Sequence, residues 1–500
     1  MHCKNFRRTI TAFLLVFAVV AGILPSCGSE EKNSTDNKEA TEANSGEGAE
    51  AKEEEAKLTV PDLPEMNWNG REINFIVRGP VFEEWESQDI CVEEENAEPV
   101  NDAVYKRNAI LEERYNFRIK KTGAGGDIQA QADKAIKSGS NDYFVTMCNT
   151  VETNSMAQKG NLNDLQKISY LDLKREYWDQ NSIYGFTVGG KTLFMTGDLS
   201  IMANDATWIL MFNKNVLKNL GLDDPYSLVQ NNRWTVDKMH DMMKNATIDL
   251  NGDGIIDGAV DQVALTTHDT TYDGLFYGMG MRVSNMDENG FPQLAMNNEK
   301  ISLVMEKSAM IMDKSITYNP PPPGPTGLAE LLAAPFEEDR TLFYGEVLQC
   351  VIRRRNMETP FGILPFPKLD ESQADYAHIV HVTACMIGVP VSLSDEEKDF
   401  TGFVLEAMAA ESKNWVVPAY YTIALEGKFM RDEESKGMLD IILRTRRYDF
   451  GYVSDWGGLY SSYKAGVKKG SADFESIWDK CEGRALTQIE KAINFYDNIP

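Results

Sequence analysis

Residues 249–261 read DLNGDGIIDGAVD, a stretch in which oxygen-bearing side chains alternate with other residues. Counted from Asp249, oxygen ligands fall at the first, third, fifth, seventh and ninth positions of a calcium loop, supplied by Asp249, Asn251, Asp253, the carbonyl of Ile255, and Asp257. Gly254 stands at the sixth position, where the chain turns sharply. Val260 takes the twelfth position, which normally carries a bidentate glutamate, and Asp261 follows one residue late. The pattern predicts either a weak structural Ca²⁺ site or a metal-free Asn-Gly/Asp-Gly turn.

Signatures of catalysis are missing from the sequence. It contains no GxSxG elbow, HExxH pair, Walker loop or strand-following GxGxxG. His378 and His381 stand three residues apart in HIVH, but their apolar neighbours favour a strand with two hydrogen-bonded histidines over a metal site. We therefore expect a protein that binds without reacting and that requires no cofactor.

The first residues predict export. Lys4, Arg7 and Arg8 precede an apolar run over 12–24, which is too short to span a membrane and is typical of a secretory signal. The run ends at Leu24-Pro25-Ser26-Cys27, which resembles the lipobox of bacterial lipoproteins. This resemblance implies a signal peptide over 1–26, lipidation at Cys27, and a protein anchored by lipid to the extracytoplasmic face of the cell membrane. Ordinary secretion is the alternative.

Composition limits the remaining chain. Residues 27–60 are predicted to be the lipid anchor and a disordered acidic tether, because 28–57 contain no aromatic or large aliphatic residue. A net charge of -27 argues against nucleic acid as a partner and against membrane contact other than through the lipid. A hydrophobic content of 42% over 500 residues suits a globular body of two lobes or domains. The cysteines beyond Cys27 are widely spaced without a CxxC pair, so we expect buried thiols and no disulfide framework.

Strand and helix patterns alternate at the start of this body. REINFIVRG, from residue 71, places Ile73, Phe75 and Val77 on one face and predicts a strand. Residues 99–122 predict a helix that runs into a second strand, and 138–147 predict a turn and a third strand. This alternation predicts α/β layering with parallel strands.

Five later segments, in order, resemble those of the bacterial extracellular solute-binding proteins of family 1, which serve carbohydrate ABC importers. The segments are GKTLFMTGDLSIMANDATWILMFNKNVLKNLGL (190–222), NRWTVDKMHDMMKNAT (232–247), DLNGDGIIDGAVDQVAL (249–265), TPFGILPFPKLDES (359–372) and ACMIGVPVSLSDEEKDFTGFVLEAM (384–408). Thr235 is placed to cap a helix, and Phe400, Phe403 and Met408 recur at the spacing of a buried helix face.

The resemblance implies an α/β, two-lobe periplasmic-binding-protein-like fold of type II, with lobes joined by several hinge crossings. Crossings are expected near 196–203, 381–386 and 427–434. They divide the chain into a first lobe of 61–197 plus 384–428 and a second lobe of 198–383 plus 429–500. The proline run at 319–325 is interpreted as a stiff surface connection within the second lobe, because polyproline cannot join a sheet.

The same resemblance places a ligand between the lobes. Sugars present apolar ring faces and a rim of hydroxyls, so their cleft needs flat aromatic rings and polar side chains. The candidate contacts are residues of these types near the expected cleft edges: Glu84, Trp85, Asp198, Asp205, Trp208, Tyr344, Trp415, Tyr420, Asp455 and Trp456. Asp455 and Trp456 head this set, because the two glycines after the tryptophan would leave its ring bare.

Together these features predict a lipid-anchored, monomeric solute-binding protein. Its lobes would close on a carbohydrate, expected to be an oligosaccharide, and deliver it to the permease of an ABC importer. Two alternatives belong to other classes. One is a surface lipoprotein that binds a non-sugar solute or acts as a sensor subunit, and the other is a surface glycoside hydrolase, for which the sequence offers no recognisable catalytic signature.

Overall fold

The computed structural model describes residues 58–322, 327–425 and 433–499. These residues belong to one compact unit, Lys57–Pro500. The predicted signal peptide, Cys27 and the tether up to residue 57 lie outside the described residues. So do most of the expected third crossing and part of the proline run.

The first sheet has the strand order β14-β3-β1-β2. Its strands, numbered along the chain, are β1 (Arg71–Arg78), β2 (Phe117–Ala124), β3 (Val145–Asn149) and β14 (Cys385–Gly388). Strand β1 pairs in parallel with both β2 and β3, and β14 pairs antiparallel with β3. Ile73, Phe75 and Val77 are fully buried, as their alternation in the sequence predicts. The part of the molecule built on this sheet is called lobe 1.

The second sheet has the order β10-β7-β11-β6-β12. Its strands are β6 (Trp208–Asn213), β7 (Val263–Thr266), β10 (Thr317–Tyr318), β11 (Thr341–Val347) and β12 (Phe361–Leu364). Strand β7 pairs in parallel with β10 and β11, whereas β6 runs antiparallel to β11 and β12. Every residue of β6 is buried, which explains its unbroken apolar sequence. The part built on this sheet is called lobe 2.

Shorter strands pair in twos outside these sheets. They are β4 (Thr187–Val188) with β5 (Lys191–Thr192), β8 (Ser284–Met286) with β9 (Pro292–Leu294), and β13 (His378–Ile379) with β15 (Arg446–Arg447).

Helices cover both sheets. They are α1 (Pro99–Tyr115), α2 (Ile128–Lys137), α3 (Thr150–Gln158), α4 (Gln180–Phe186), α5 (Met202–Asp205), α6 (Lys214–Asn219), α7 (Pro225–Gln230), α8 (Val236–Lys244), α9 (Thr271–Gly278), α10 (Ile301–Ile311), α11 (Leu328–Glu337), α12 (Gln349–Arg353), α13 (Asp395–Leu425), α14 (Glu433–Arg444), α15 (Phe450–Ser454), α16 (Leu459–Lys468) and α17 (Phe474–Asp497). Short 3-10 turns span Pro80–Trp85, Leu165–Lys167 and Trp456–Gly458.

The predicted cap of α8 is confirmed, because the Thr235 side chain accepts a hydrogen bond from the amide of Lys238 at 3.3 Å. Phe400, Phe403 and Met408 are fully buried, which confirms the predicted apolar face of α13. Among the helices that the structure describes, none combines the length and the apolar character that a membrane span requires.

Two chain passages lie side by side between the lobes. Met195 bridges Ile387 and Thr207 bridges Val380, both antiparallel, so the chain that flanks the expected first crossing pairs with the chain that flanks the expected second one. Helix α13 joins these passages to lobe 1. Its first half packs in the core of lobe 1 through Phe400, and its second half reaches α5, where the Tyr420 hydroxyl donates a hydrogen bond to Asp205.

The cysteines of the described residues are all free, and four of them, Cys148, Cys350, Cys385 and Cys481, are buried. Burial raises the pKa of the Cys385 thiol to about 11. These thiols therefore act as small apolar groups in the core.

Candidate functional site

A cavity of about 240 Å³, the interlobe cavity, lies between the two sheets beside the crossings. Lobe 1 supplies the turn after β1, with Glu84 and Trp85. Lobe 2 supplies the residues at the ends of three adjacent strands and the following helix, namely Trp208, His268, Thr270, Tyr344, Glu346, Gln349 and Arg353. The second crossing supplies His381 and Thr383. Both lobes and a crossing thus line the same cavity.

Aromatic rings form the apolar part of the lining of the interlobe cavity. Trp208, at the start of β6, is 1% exposed, and its ring centroid lies 5.3 Å from that of His268 and 6.3 Å from that of His381. The Nε1 of Trp208 is buried without a hydrogen-bond partner among the described residues. Trp85 faces the cavity from lobe 1, half-buried, with the guanidinium of Arg78 at 5.9 Å from its ring centroid. One flat ring from each lobe therefore lines the cavity, half-buried at Trp85 and almost fully buried at Trp208.

His268 and Glu346 form the polar floor contributed by lobe 2. The Nε2 of His268 lies 3.2 Å from a carboxylate oxygen of Glu346, and its Nδ1 shares a hydrogen bond of 2.8 Å with the Thr270 hydroxyl. Burial opposes the charged imidazole, but the hydrogen bond and the charge of Glu346 outweigh it, so the pKa of His268 is raised. Burial alone would raise the pKa of Glu346, but His268 reverses this and lowers it. The pair therefore favours its charged form.

Arg353 and Glu84 connect the two lobes across the cavity. Their side chains form an ion pair, and the side-chain amide of Gln349 donates a 2.6 Å hydrogen bond to the backbone carbonyl of Glu84. Outside the cavity, Arg355 of lobe 2 pairs with Glu98 of lobe 1 at 3.1 Å. The described conformation is thus closed by contacts within the protein.

His381 adds a neutral group from the second crossing. Its Nδ1 lies 3.1 Å from the Thr383 hydroxyl. Burial lowers the pKa of His381 despite the nearby carboxylates of Asp273 and Glu346. His378, its partner in HIVH, is fully buried in β13 with Nδ1 2.8 Å from the Thr445 hydroxyl. The two histidines therefore face different surroundings.

The structure brings four of the sequence-predicted residues together at the interlobe cavity, namely Glu84, Trp85, Trp208 and Tyr344. Tyr344 lies within β11, fully buried, with its ring centroid 5.7 Å from that of Phe336. Because alternate residues of a strand share a face, Tyr344 and Glu346 point the same way from β11.

The other predicted contacts lie elsewhere. Asp205 and Tyr420 bond to each other at 2.9 Å within the core. Trp415 packs under the ammonium of Lys106, 3.3 Å from its ring centroid, on α13 of lobe 1. Asp198 lines a separate cavity, and Trp456 is 3% exposed beside Phe450, with a ring-centroid distance of 5.4 Å. Asp455 accepts from the amides of Tyr460 and Ser461 at the start of α16.

Several cavity residues escape the sequence reasoning, among them His268, Glu346, Gln349, Arg353 and His381. Glu346 carried a signal, because it stands two residues after the candidate Tyr344, a spacing that shares one face of a strand. His268 carried a weaker one, since it closely follows the end of β7. Arg353 carried none, because a charged residue at the end of a short helix is ordinary on a protein surface.

The acidic loop joins α8 to β7. Its two ends meet at the antiparallel bridge between Ile248 and Gln262. The fully buried carboxylate of Asp261 accepts hydrogen bonds from the amides of Leu250 at 2.9 Å and Asp257 at 2.8 Å. These two backbone bonds lower the pKa of Asp261.

The oxygens of the predicted calcium ligands also bond within the loop. The Asp249 carboxylate accepts hydrogen bonds from the backbone amides of Gly252 and Gly254. The Asn251 side-chain oxygen accepts one from the amide of Asp253, and the Asp253 carboxylate accepts one from the amide of Ile255. No group of three or more His, Cys, Asp or Glu residues suited to a metal is found in the described part of the chain. The loop therefore closes by its own hydrogen bonds, and calcium binding at Asp249, Asn251, Asp253, Ile255, Asp257 and Asp261 stays a prediction.

The interlobe cavity combines ring faces, two acceptor carboxylates and several donors. Such a set suits a ring compound that carries many hydroxyls, because each hydroxyl both donates and accepts. The arrangement can hold and orient a solute.

Comparisons with known proteins agree with this architecture. Residues 103–345 match the model of the family described as bacterial extracellular solute-binding protein. No curated protein matches the chain.

Solved structures share the fold. One is the cyclic alpha-maltosyl-1,6-maltose binding protein of Arthrobacter globiformis, 12% identical, with a TM-score of 0.57 over 85% of this chain and 99% of that one. An ABC substrate-binding protein of Listeria monocytogenes in complex with cycloalternan is also 12% identical, with a TM-score of 0.53 over 84% and 99%. A maltose/maltodextrin-binding domain of Bdellovibrio bacteriovorus bound to maltotriose is 14% identical, with a TM-score of 0.51 over 84% and 100%.

At these identities the likeness shows the fold alone, which is the predicted two-lobe, periplasmic-binding-protein-like architecture. The boundaries given above for each lobe stay a prediction. Residues 103–345 thus match the family of bacterial extracellular solute-binding proteins, and the described chain has the two-lobe fold of the solved structures above.

Proposed function

We propose that this protein is a lipid-anchored binding protein that captures an oligosaccharide outside the cell and delivers it to the permease of an ABC importer. The observation that carries the proposal is the interlobe cavity, where Trp85 of lobe 1 and Trp208 of lobe 2 flank carboxylates and donors. Rings from two lobes can hold the apolar faces of a sugar while polar side chains bind its rim.

The ligand class is extended from the solved structures that share the fold. Those structures include proteins bound to maltotriose and to cycloalternan, and one of them is called an ABC substrate-binding protein. The charged side chains of the cavity, Glu84 and Arg353, and His268 and Glu346, pair with each other. A neutral polyhydroxylated ligand fits such balanced charges better than an ion does.

Binding would act by closing the lobes. A ligand that contacts both Trp85 and Trp208 binds the closed form more tightly than the open form, and it shifts the population by that difference. The closed form would then contact the permease as a monomer. Cys27 would hold the protein at the extracytoplasmic face of the cell membrane, and 28–57 would serve as its tether. No chemical step on the ligand is proposed.

A thermal-shift screen of the purified protein against a panel of glycans tests this function, because a bound ligand raises the melting temperature by mass action. We expect a subset of oligosaccharides to raise it, each in a concentration-dependent way. The proposal fails if no glycan of the panel raises the melting temperature while peptides or polyols do. It also fails if the protein releases reducing sugar from a glycan. Repeating the screen with calcium and with a chelator tests the acidic loop separately.

A further inference from the structure

A second cavity, of about 550 Å³, lies against the first crossing and shares no lining residue with the interlobe cavity. Its walls are the crossing segment 196–204, the chain before and into α4, the middle of α13, and the junction of α14 with β15. It is called the hinge cavity. Its ligand chemistry follows from the charges that face it.

Most of those charges are matched. Arg446 pairs with Asp179 at 2.8 Å, Lys413 pairs with Glu176 at 3.4 Å, and Arg444 pairs with Asp375 at 3.4 Å. Asp179 is further satisfied by the Tyr448 hydroxyl at 2.9 Å and by two amides at the start of α4.

Asp198 is the exception. Its carboxylate accepts no hydrogen bond from the residues that the structure describes, although its backbone amide donates to Tyr177. Burial raises the pKa of Asp198 to about 7, and the neighbouring cations Lys413 and Arg446 only partly oppose this, while Asp179 and Glu176 add to it. The half-buried carboxylate of Asp198 therefore has neither an ion-pair partner nor a hydrogen-bond partner among the described residues.

Two donors of the same cavity also lack partners among the described residues. The hydroxyl of Thr196 is buried, with the residue 1% exposed, and makes no hydrogen bond. The Nε of Arg446 is buried and unpartnered, although the other nitrogens of its guanidinium bond to Asp179 and Asn204. Buried polar atoms normally have partners, so their lack here indicates room for a ligand that supplies them.

We propose that the hinge cavity is a second binding site, which takes a small hydroxylated primary ammonium compound. Its ammonium group would bind the carboxylate of Asp198, and its hydroxyl oxygens would accept hydrogen bonds from Arg446 Nε and Thr196. The single net positive charge of such a ligand matches the one uncompensated carboxylate of the cavity. This site is independent of the solute that fills the interlobe cavity.

Tris(hydroxymethyl)aminomethane and pentaerythritol form a matched pair of probes, because they share a branched hydroxymethyl skeleton and differ in one ammonium group. Titration calorimetry near neutral pH, in a buffer without amines and at constant ionic strength, compares them on the purified protein. We expect the ammonium probe to bind at one saturable site. At probe concentrations above its Kd, it should raise the melting temperature of the protein by about 1 °C or more. Pentaerythritol should bind at least tenfold more weakly.

Variants assign that binding to its location. Asp198→Asn should abolish the preference for the ammonium probe, whereas Asp479→Asn, the same charge change at an exposed position of α17, should keep it. Glu84→Gln, in the interlobe cavity, should also keep it. Equal binding of the two probes by the unaltered protein overturns the proposal without any variant. So does binding that survives Asp198→Asn or that is lost in Glu84→Gln.

Discussion

Arg353 of lobe 2 forms an ion pair with Glu84 of lobe 1, and this contact joins the two lobes across the interlobe cavity. The pair is only partly buried, with side-chain exposures of 24% and 42%, so screening limits its contribution to about 0.2–1 kcal/mol. The ion pair of Arg355 with Glu98 also joins the lobes, and salt should weaken both pairs.

Breaking this contact should favour the open form. We expect Arg353→Gln to lower ligand affinity by about two- to fivefold, because the closed population falls by the free energy of the pair. Small-angle scattering should show a larger radius of gyration for the variant, and molar salt should produce the same change in the unaltered protein. Lys398→Gln, which removes an ion pair to Asp395 within one helix, is the matched control and should change neither quantity.

Trp85 is the ring whose removal tests ligand contact most cleanly. It is half-buried, so Trp85→Ala should lower affinity for the bound glycan about tenfold while changing the melting temperature of the free protein little. Trp415→Ala removes another half-buried tryptophan that also lies under a cation, and it should leave affinity unchanged. Calorimetric titration of both variants decides the point. Equal losses of affinity would mean that neither ring contacts the ligand directly.

The His268–Glu346 pair predicts a pH window of stability. The interactions that raise the pKa of His268 stabilise the folded state. Their contribution is complete at pH values below the ordinary pKa of 6.5, and it is lost as the pH rises through the raised pKa. The interactions that lower the pKa of Glu346 also stabilise the folded state. Their contribution is complete at pH values above the ordinary pKa of 4.5, and it is lost as the pH falls through the lowered pKa. The pair should therefore contribute most between these ordinary values.

Thermal melts across pH check this window. The gap in melting temperature between the unaltered protein and Glu346→Gln should be widest at about pH 5.5 and should narrow at alkaline pH. A gap that widens steadily above neutrality would contradict the pairing.

The buried carboxyl of Asp205 makes a separate contribution to the pH dependence of stability. Its burial outweighs the hydrogen bond from Tyr420 and raises the pKa of this carboxyl to about 7. The folded state thus holds a proton that the unfolded state releases, and stability falls as the pH rises from the ordinary value of 3.8 through about 7. Asp205→Asn should raise the melting temperature above neutral pH and have a smaller effect in acid. A variant that is less stable at every pH would show that the charge itself is required.

The acidic loop offers a stability test that does not depend on metal. Asp261 is fully buried and bonds two backbone amides, whereas Asp253 is exposed. Asp261→Ala leaves both amides without this acceptor, so it should lower the melting temperature more than Asp253→Ala does. If the order is reversed only when calcium is present, the exposed oxygens are metal ligands and the predicted site is real.

Local patterns were sufficient for much of the fold. The alternation of Ile73, Phe75 and Val77 placed β1 in a sheet, and the spacing of Phe400 and Phe403 identified the buried face of α13. Both signals depend only on neighbours in sequence, because a strand or a helix shows its buried face at a fixed period.

The site depended on contacts that no local pattern contains. Trp208 meets His268 only because β6, β11 and β7 are neighbours in one sheet. The expectation that the two glycines leave the Trp456 ring bare is wrong for a structural reason. Gly457, at φ 66°, lies against α17, where a Cβ would stand 2.6 Å from the carbonyl oxygen of Cys481. The glycine is needed for this close approach of the backbone, and the tryptophan before it is buried.

The central claim is that one solute is held between the lobes by rings from both. A crystal structure of the protein with the glycan that most raises its melting temperature tests this claim directly. We predict that the glycan lies in the interlobe cavity, against Trp85 and Trp208, with its hydroxyls bonded to Glu346. A glycan bound to one lobe alone, or outside the interlobe cavity, would contradict this claim.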